Sequence, residues 1–231
     1  MPRAQQRRTA RRTNIAGVAS ALADPSRAEM LDILMGGEAH PIGALARRVG
    51  VSPATASSHL QRLAAANLVT VDTVGRERRV RLAGAEVAEV LERLSVIAGP
   101  DGAQAPAIDQ LRFARTCYDH LAGHLGVAIV ERLEALGWLY RTSDSLEPAS
   151  ALLAWLASHG HAVAEDARRP LSRACVDWTE RVPHLAGRTG AALATLARSA
   201  GWVVPVRASR ALRITTRGRK ALLDELGLAL R

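Results

Sequence analysis

The chain has 231 residues, 48% of them apolar, and a formal net charge of +9 from 31 basic and 22 acidic side chains. That length holds one large or two small cores, and this balance of apolar and charged residues excludes wholesale disorder. No apolar run reaches the roughly 18 residues of a membrane span, and the opening MPRAQQRRTARR lacks the apolar stretch of a secretory signal, so a cytoplasmic protein is expected.

Arginine supplies nearly all the positive charge, since Lys220 is the only lysine. Arginine-rich surfaces suit a polyanion, although codon composition also favours arginine over lysine. Residues 1–14 read as a basic tail. From Ile15 to about Met35 apolar residues recur at helical spacing, broken by ALADPSR, where Asp24 or Ser26 caps a second helix and Pro25 sets the turn. After Gly36 and Gly37 the pattern predicts a helix over 42–49, a tight turn at Gly50, and another helix with Ser52 as N-cap and Pro53 first. Leu45, Ala46, Val49, Val51, Ala56, Leu60 and Leu63 point inward. Thr55, Ser57, Ser58, His59, Gln61 and Arg62 are left to face outward or flank the core, where short polar side chains reach base edges and phosphates. Two β-rich runs follow, 68–72 and 78–82, around a turn with Gly75. This hairpin carries Arg76, Arg78, Arg79 and Arg81; Arg76, Arg78 and Arg79 are the candidate contacts to phosphates or a minor groove.

On ALADPSRAEMLDIL, VSPATASSHLQRLAAANLV and GRERRVRL with its following helix, residues 15–98 resemble the ArsR/SmtB family of bacterial winged-helix repressors. The resemblance implies a homodimer that binds a palindromic double-stranded DNA operator and is released from it by an inducer, often a metal ion. Metal-sensing members carry cysteines before the recognition helix, or Asp, His and Glu along the helix after the wing. Here AHPIGALARRV has no cysteine and GAEVAEVLERLSVIAG no histidine, so neither familiar sensor site carries over. His40 stands alone and is expected to be an exposed loop residue.

Residues 99–107, GPDGAQAPA, read as a linker. Beyond it, HLAGHLGVAIVERLEALGWL at 120–139 aligns without a gap on HLAGRTGAALATLARSAGWV at 184–203. Upstream, RTCYD at 115–119 matches RACVD at 173–177, and the second copy inserts WTERVP before its histidine. This is an internal duplication. The expected fold class is mainly α with short β-hairpin wings: an N-terminal winged helix-turn-helix at 15–98, then a duplicated domain at 108–231. Its two helical units, 108–169 and 170–231, each end in a hairpin and a helix, a winged-helix-like order.

The chain's two cysteines lie in the repeated phrase. On a helix, Cys117 and His120 share a face with Asp119 just off it. In the second copy a break at Pro183 returns His184 toward Cys175. Cys117, His120, Cys175 and His184 then complete a tetrahedral site for Zn²⁺ or another thiophilic divalent ion. Asp119, Asp177 and Glu180 serve as substitute ligands or as acceptors that orient the imidazoles. His124 has no counterpart in the second copy, where Arg188 stands, and His159 and His161, beside Gly160 in a loop, are expected to be solvated.

Other readings stay open at this point. A small buried cysteine, a capping aspartate and close-packing glycines would preserve the phrase for packing alone. A reversible Cys117 to Cys175 disulfide would make a thiol-redox switch, although neither cysteine sits in a C-x-x-C pair. A C-terminal half that only dimerises is also compatible, with its four tryptophans in the interface. Catalysis is not expected: no nucleophile elbow or phosphate-binding glycine loop is present, and a duplicated reactive set exceeds what one reaction needs.

Overall fold

A computed structural model of the protein describes residues 13–99, 105–142, 145–166 and 168–230. The basic tail lies outside them except for its last two residues, as do residues 100–104 of the expected linker.

The N-terminal region runs α1 (Ile15–Leu22), α2 (Pro25–Leu34), β1 (His40–Pro41), α3 (Ile42–Val49), α4 (Pro53–Ala65), β2 (Val69–Val74), β3 (Glu77–Leu82) and α5 (Ala85–Ala98). Two side-chain caps set the helix starts. Asp24 accepts from Arg27 N at 3.0 Å, and Ser52 Oγ from Thr55 N at 3.1 Å, each followed by a proline at the first helical position. Helices α3 and α4 form the helix-turn-helix, and the sheet order β1-β3-β2 makes the wing. Leu45, Ala46, Ala56, Leu60 and Leu63 are buried with Met30, Leu31, Leu34, Val80 and Leu82, while Val49 and Val51 pack half-buried against them. His40 is not an exposed loop residue: it pairs with Val80 in the sheet and is half-buried.

The remaining elements are α6 (Ala105–Phe113), β4 (Arg115–Cys117), β5 (His120–Ala122), α7 (His124–Ala135), β6 (Leu139–Arg141), β7 (Leu146–Pro148), α8 (Ser150–Ser158), β8 (Arg173–Val176), β9 (Pro183–Ala186), α9 (Gly187–Ser199), β10 (Val203–Pro205), β11 (Leu212–Ile214) and α10 (Thr216–Leu226). Residues 105–107, expected in a linker, begin a helix. The duplication is visible as two runs of hairpin, helix, hairpin and helix. One expectation is corrected here. Cys117 and His120 lie on paired strands, not on a helix: β4 pairs antiparallel with β5, as β8 does with β9. The two strands join through a turn with Tyr118 at φ 60°, a backbone conformation that no helix contains.

The register explains the repeated phrase. Cys117 faces His120 across one ladder and Cys175 faces His184 across the other. The inserted WTERVP lengthens the second turn, and Pro183 opens β9, so the Cys-to-His pairing survives the insertion. Each unit's long helix packs on the other unit's hairpin. A Cβ on Gly126 of α7 would stand 3.5 Å from the Cβ of His184, and one on Gly190 of α9 would stand 3.3 Å from the Cβ of His120. Both would also press on backbone, at Leu121 O and Leu185 O, so only glycine permits this reciprocal approach.

Leu121, Leu125, Val130, Leu133, Leu185, Leu193 and Leu196 lie in the duplicated core, together with Trp202. Trp138, Trp155 and Trp202 cluster at centroid distances of 5.9 and 6.2 Å, Trp202 buried and the other two half-buried, and Trp178 is buried against Arg115. His159 and His161 are not simply solvated: His159 Nε2 lies 2.8 Å from Glu225 Oε2, tying α8 to α10, and His161 Nε2 lies 2.9 Å from Ser199 Oγ on α9. Cys117, Ala122, Cys175 and Ala186 belong to the N-terminal core cluster, so the hairpins pack directly on the winged helix.

Candidate functional site

Two antiparallel ladders from distant parts of the chain bring four side chains to one point. One ligand atom from each of Cys117, His120, Cys175 and His184 lies within 4.8 Å of the other three, and all four residues are buried. His120 Nε2 is 3.1 Å from His184 Nε2, and the rings stack with centroids 5.0 Å apart. For tetrahedral zinc with Zn–N near 2.0 Å, two nitrogens stand about 3.3 Å apart. Two sulfurs and two nitrogens so arranged fit a thiophilic divalent cation.

Each imidazole is backed by a carboxylate. His120 Nδ1 is 3.2 Å from Asp119 Oδ1, and His184 Nδ1 is 3.4 Å from Asp177 Oδ2. Carboxylates in these positions fix which ring nitrogen faces a metal. Glu180 is not among them, because its carboxylate turns outward to His124, 3.6 Å away. A narrow cleft lined by Glu86, Glu89, Asp119, Arg169 and Arg173 reaches Cys117, His120 and Cys175.

The electrostatics of the two halves differ. Burial alone would lower the His120 imidazole, but Cys117 and the Asp119 carboxylate overcome it and raise His120 to about 9. A hydrogen bond with Cys175, then burial, push the Cys117 thiol well up. Burial and the facing His120 hold His184 well below the usual histidine range, which keeps it neutral. Burial would raise Asp177, yet the Arg115 guanidinium beside it holds its carboxyl well below the usual range.

The expected DNA-facing residues divide. On α4, Thr55, Ser58, Gln61 and Arg62 are exposed and Ser57 is half-buried. Thr55 Oγ1 lies 2.8 Å from Ser52 Oγ at the cap, and Ser57 Oγ donates to Pro53 O at 2.9 Å. His59 turns inward: its Nδ1 is 3.3 Å from Arg27 Nη1 and 3.8 Å from Asp24 Oδ1. On the wing Arg76 and Arg78 are exposed. Arg79 is half-buried, paired with Glu77 at 3.1 Å and donating to Ala39 O at 2.9 Å. Arg81 pairs with Asp72 at 3.0 Å.

A family model described as a helix-turn-helix domain matches residues 22–72. The uncharacterized HTH-type transcriptional regulator YdfF of Bacillus subtilis (strain 168) is 38% identical over 225 residues, covering 94% of this chain and 99% of its own. The chain belongs to the HTH-type transcriptional regulators. Its N-terminal region forms the winged helix-turn-helix expected from the sequence. Among solved structures, a homodimeric winged helix-turn-helix DNA-binding domain from Mycobacterium bovis is 33% identical. It covers 36% of this chain and 77% of its own, with a TM-score of 0.35. The cadmium metal-sensor CmtR from Mycobacterium tuberculosis is 36% identical, covering 38% of this chain and 93% of its own, with a TM-score of 0.31.

The sequence reading of this regulator named the carboxylates behind the histidines but missed the arginines of the two hairpins and their partners on α5. Arg115 is fully buried, with Nη2 2.7 Å from Glu92 Oε1 and 2.9 Å from Asp177 Oδ2. Arg173, its counterpart in the second copy, pairs with Glu89. The repeated R-x-C was a signal for this, but its partners lie on α5, which no local spacing connects to it. Among the described residues no helix is long and apolar enough to cross a membrane.

Proposed function

We propose that this regulator is a metal-responsive DNA-binding repressor, acting in the cytoplasm as a homodimer on a palindromic operator. Zn²⁺ or another thiophilic divalent ion bound by Cys117, His120, Cys175 and His184 is its inducer. The carrying observation is the convergence of the four buried ligand atoms within 4.8 Å, each imidazole backed by a carboxylate. Residues 15–98 read DNA through Ser58, Gln61 and Arg62 with Arg76 and Arg78. Residues 108–231 sense and hold the assembly, joined by 99–107. Exposed Ile15, Val90, Leu94 and Ile97 on α1 and α5 offer the apolar surface for a second copy. The role is regulatory, not catalytic.

The test is titration of the reduced protein with Co²⁺ and Zn²⁺, alone and against a duplex selected from a random-sequence pool by the metal-free protein. One ion per chain, lost in Cys117→Ser and in Cys175→Ser, with lower affinity for the duplex when loaded, is the expected result. A protein that takes up neither ion with sub-micromolar affinity sinks the reading. A second reading rests on the closeness of the two free thiols, whose sulfurs lie within 4.8 Å of one another. Under it, oxidant and not metal releases the duplex.

A further inference from the structure

The two halves of the Cys/His site are alike in their ligands and unlike in what stands behind them. Asp119, behind His120, is half-exposed and pairs with Arg169 at the rim of the cleft. Asp177, behind His184, is fully buried and is the first of a line of charges that leaves the duplicated domain. Its Oδ2 lies 2.9 Å from Arg115 Nη2. The same Nη2 lies 2.7 Å from Glu92 on α5, and Arg210 stands 3.7 Å from Glu92 and 3.0 Å from Asp32 on α2. Helices α5 and α2 belong to the winged helix. We propose that this line, His184 to Asp177 to Arg115 to Glu92 to Arg210 to Asp32, carries the occupancy of the metal site to the DNA-binding domain. It rests on the metal reading above and assigns the output of that site to its second half.

Three observations carry it. The six-residue insertion that distinguishes the second copy builds the line. Trp178 lies under the Arg115 guanidinium at 5.1 Å, while Thr179 N and Oγ1 donate to Asp177 Oδ1 at 2.9 and 2.7 Å. The first copy, without the insertion, has no such support for Asp119. Next, a buried ion pair is a weak source of net stability, yet losing one partner strands the other charge at high cost, and Glu92 is fully buried on a helix whose neighbours Arg93 and Leu94 are exposed. Helix α5 grips both copies, Glu89 holding Arg173 and Glu92 holding Arg115, but only the second grip is buried. The ligand hairpin also docks by backbone, Tyr118 N donating to Met35 O at 2.6 Å just past α2.

The third observation is that the line is incompletely bonded. His184 Nδ1, Glu92 Oε2, Arg115 Nε, and Arg210 Nε and Nη1 lack a hydrogen-bond partner among the described residues, although charged partners stand close. An ion held at His184 Nε2 fixes that ring with Nδ1–H as donor, and Asp177 Oδ2 is the acceptor within reach. Asp177 is then shared between His184 and Arg115, which changes how Arg115 divides Nη2 between Asp177 and Glu92. A side chain divided between two carboxylates on different domains is the element both sites can bias.

The experiment measures the affinity of the full-length protein for the selected duplex with and without saturating Zn²⁺, and Co²⁺ uptake separately. In the wild type, zinc shifts duplex affinity by at least ~10-fold, within the usual range of coupling. Glu92→Gln binds Co²⁺ with unchanged stoichiometry, but its zinc-dependent shift falls below ~3-fold. Asp32→Asn, at the exposed end of the line where folding is not at stake, reduces the shift in the same direction. Asp119→Asn does the opposite, weakening metal affinity ~10–100-fold while keeping the full shift at saturation. Hydrogen exchange in α5 changes on zinc addition in the wild type and not in Glu92→Gln. Metal uptake with an undiminished shift in both Glu92→Gln and Asp32→Asn overturns the line alone. A wild type that takes up no metal overturns the line and the metal reading together.

Discussion

His120 and His184 meet Nε2 to Nε2 at 3.1 Å across 64 positions of sequence. The contact forms because each unit's long helix lies on the other unit's hairpin, with Gly126 facing His184 and Gly190 facing His120. Two copies of one hairpin thus close a single site between them, and a lone copy would present only one cysteine and one histidine.

Metal binding at this site should release protons. Cys117, pushed well up by Cys175 and by burial, holds its proton at neutral pH, whereas ligation needs the thiolate. Because bound protons compete with metal, affinity rises with pH from 6 through about 9. A pH-indicator titration with Zn²⁺ in weak buffer should give at least about one proton per ion. Release of none would exclude thiolate ligation.

The wing arginines should not behave alike. Arg76→Ala and Arg78→Ala should each lower the slope of log affinity against log salt by about one unit, as expected for one lost phosphate contact. Arg79→Ala should leave that slope unchanged, because its guanidinium is engaged by Glu77 and Ala39 O. Arg62→Ala and Gln61→Ala should relax base preference. His59→Ala should cost about 1 kcal/mol of stability through the lost Arg27 contact, with no change in preference. Anisotropy titrations across a salt series, with thermal melts, check all of these.

Assembly should depend on the apolar side chains of α5. Leu94 and Ile97 are exposed, Ile97 at 82%, and an aspartate at either position would place a charge in an interface formed there. Sedimentation equilibrium should show Leu94→Asp and Ile97→Asp weakening the dimer at least ~10-fold. A wild-type protein that stays monomeric with and without duplex would rule the dimer out.

Gly190→Ala should act on both fold and site. The added methyl meets Leu185 O and stands 3.3 Å from the Cβ of His120, so the helix must back away from the hairpin. Overpacking of this kind costs about 1–3 kcal/mol. Denaturant melts should show the loss, and Co²⁺ titration of the folded fraction should show weaker binding, because His120 loses its position opposite His184.

Local chemistry was sufficient for the N-terminal half. Helix α3, the Ser52 cap, Pro53 and the wing hairpin follow from apolar period, capping residues and a glycine turn, all of which act within a few residues. The duplication and its four candidate ligands were legible for the same reason, as repeated short phrases. The sequence misled where two local conformations compete: Cys117 and His120 are neighbours on a helix turn and equally across a two-residue hairpin turn, and only packing against the opposite unit selects the strand. His59 and Arg79 were likewise assigned to DNA by position, but their partners Arg27, Glu77 and Ala39 draw them back onto the protein. Tertiary structure alone decided that the two Cys/His pairs face each other, that Asp177 is buried where Asp119 is not, and that Arg115 and Arg210 bridge to Glu92 and Asp32. These are contacts between chain segments far apart in sequence. Such contacts depend on which apolar faces pack together, and a charge takes its buried partner from that packing.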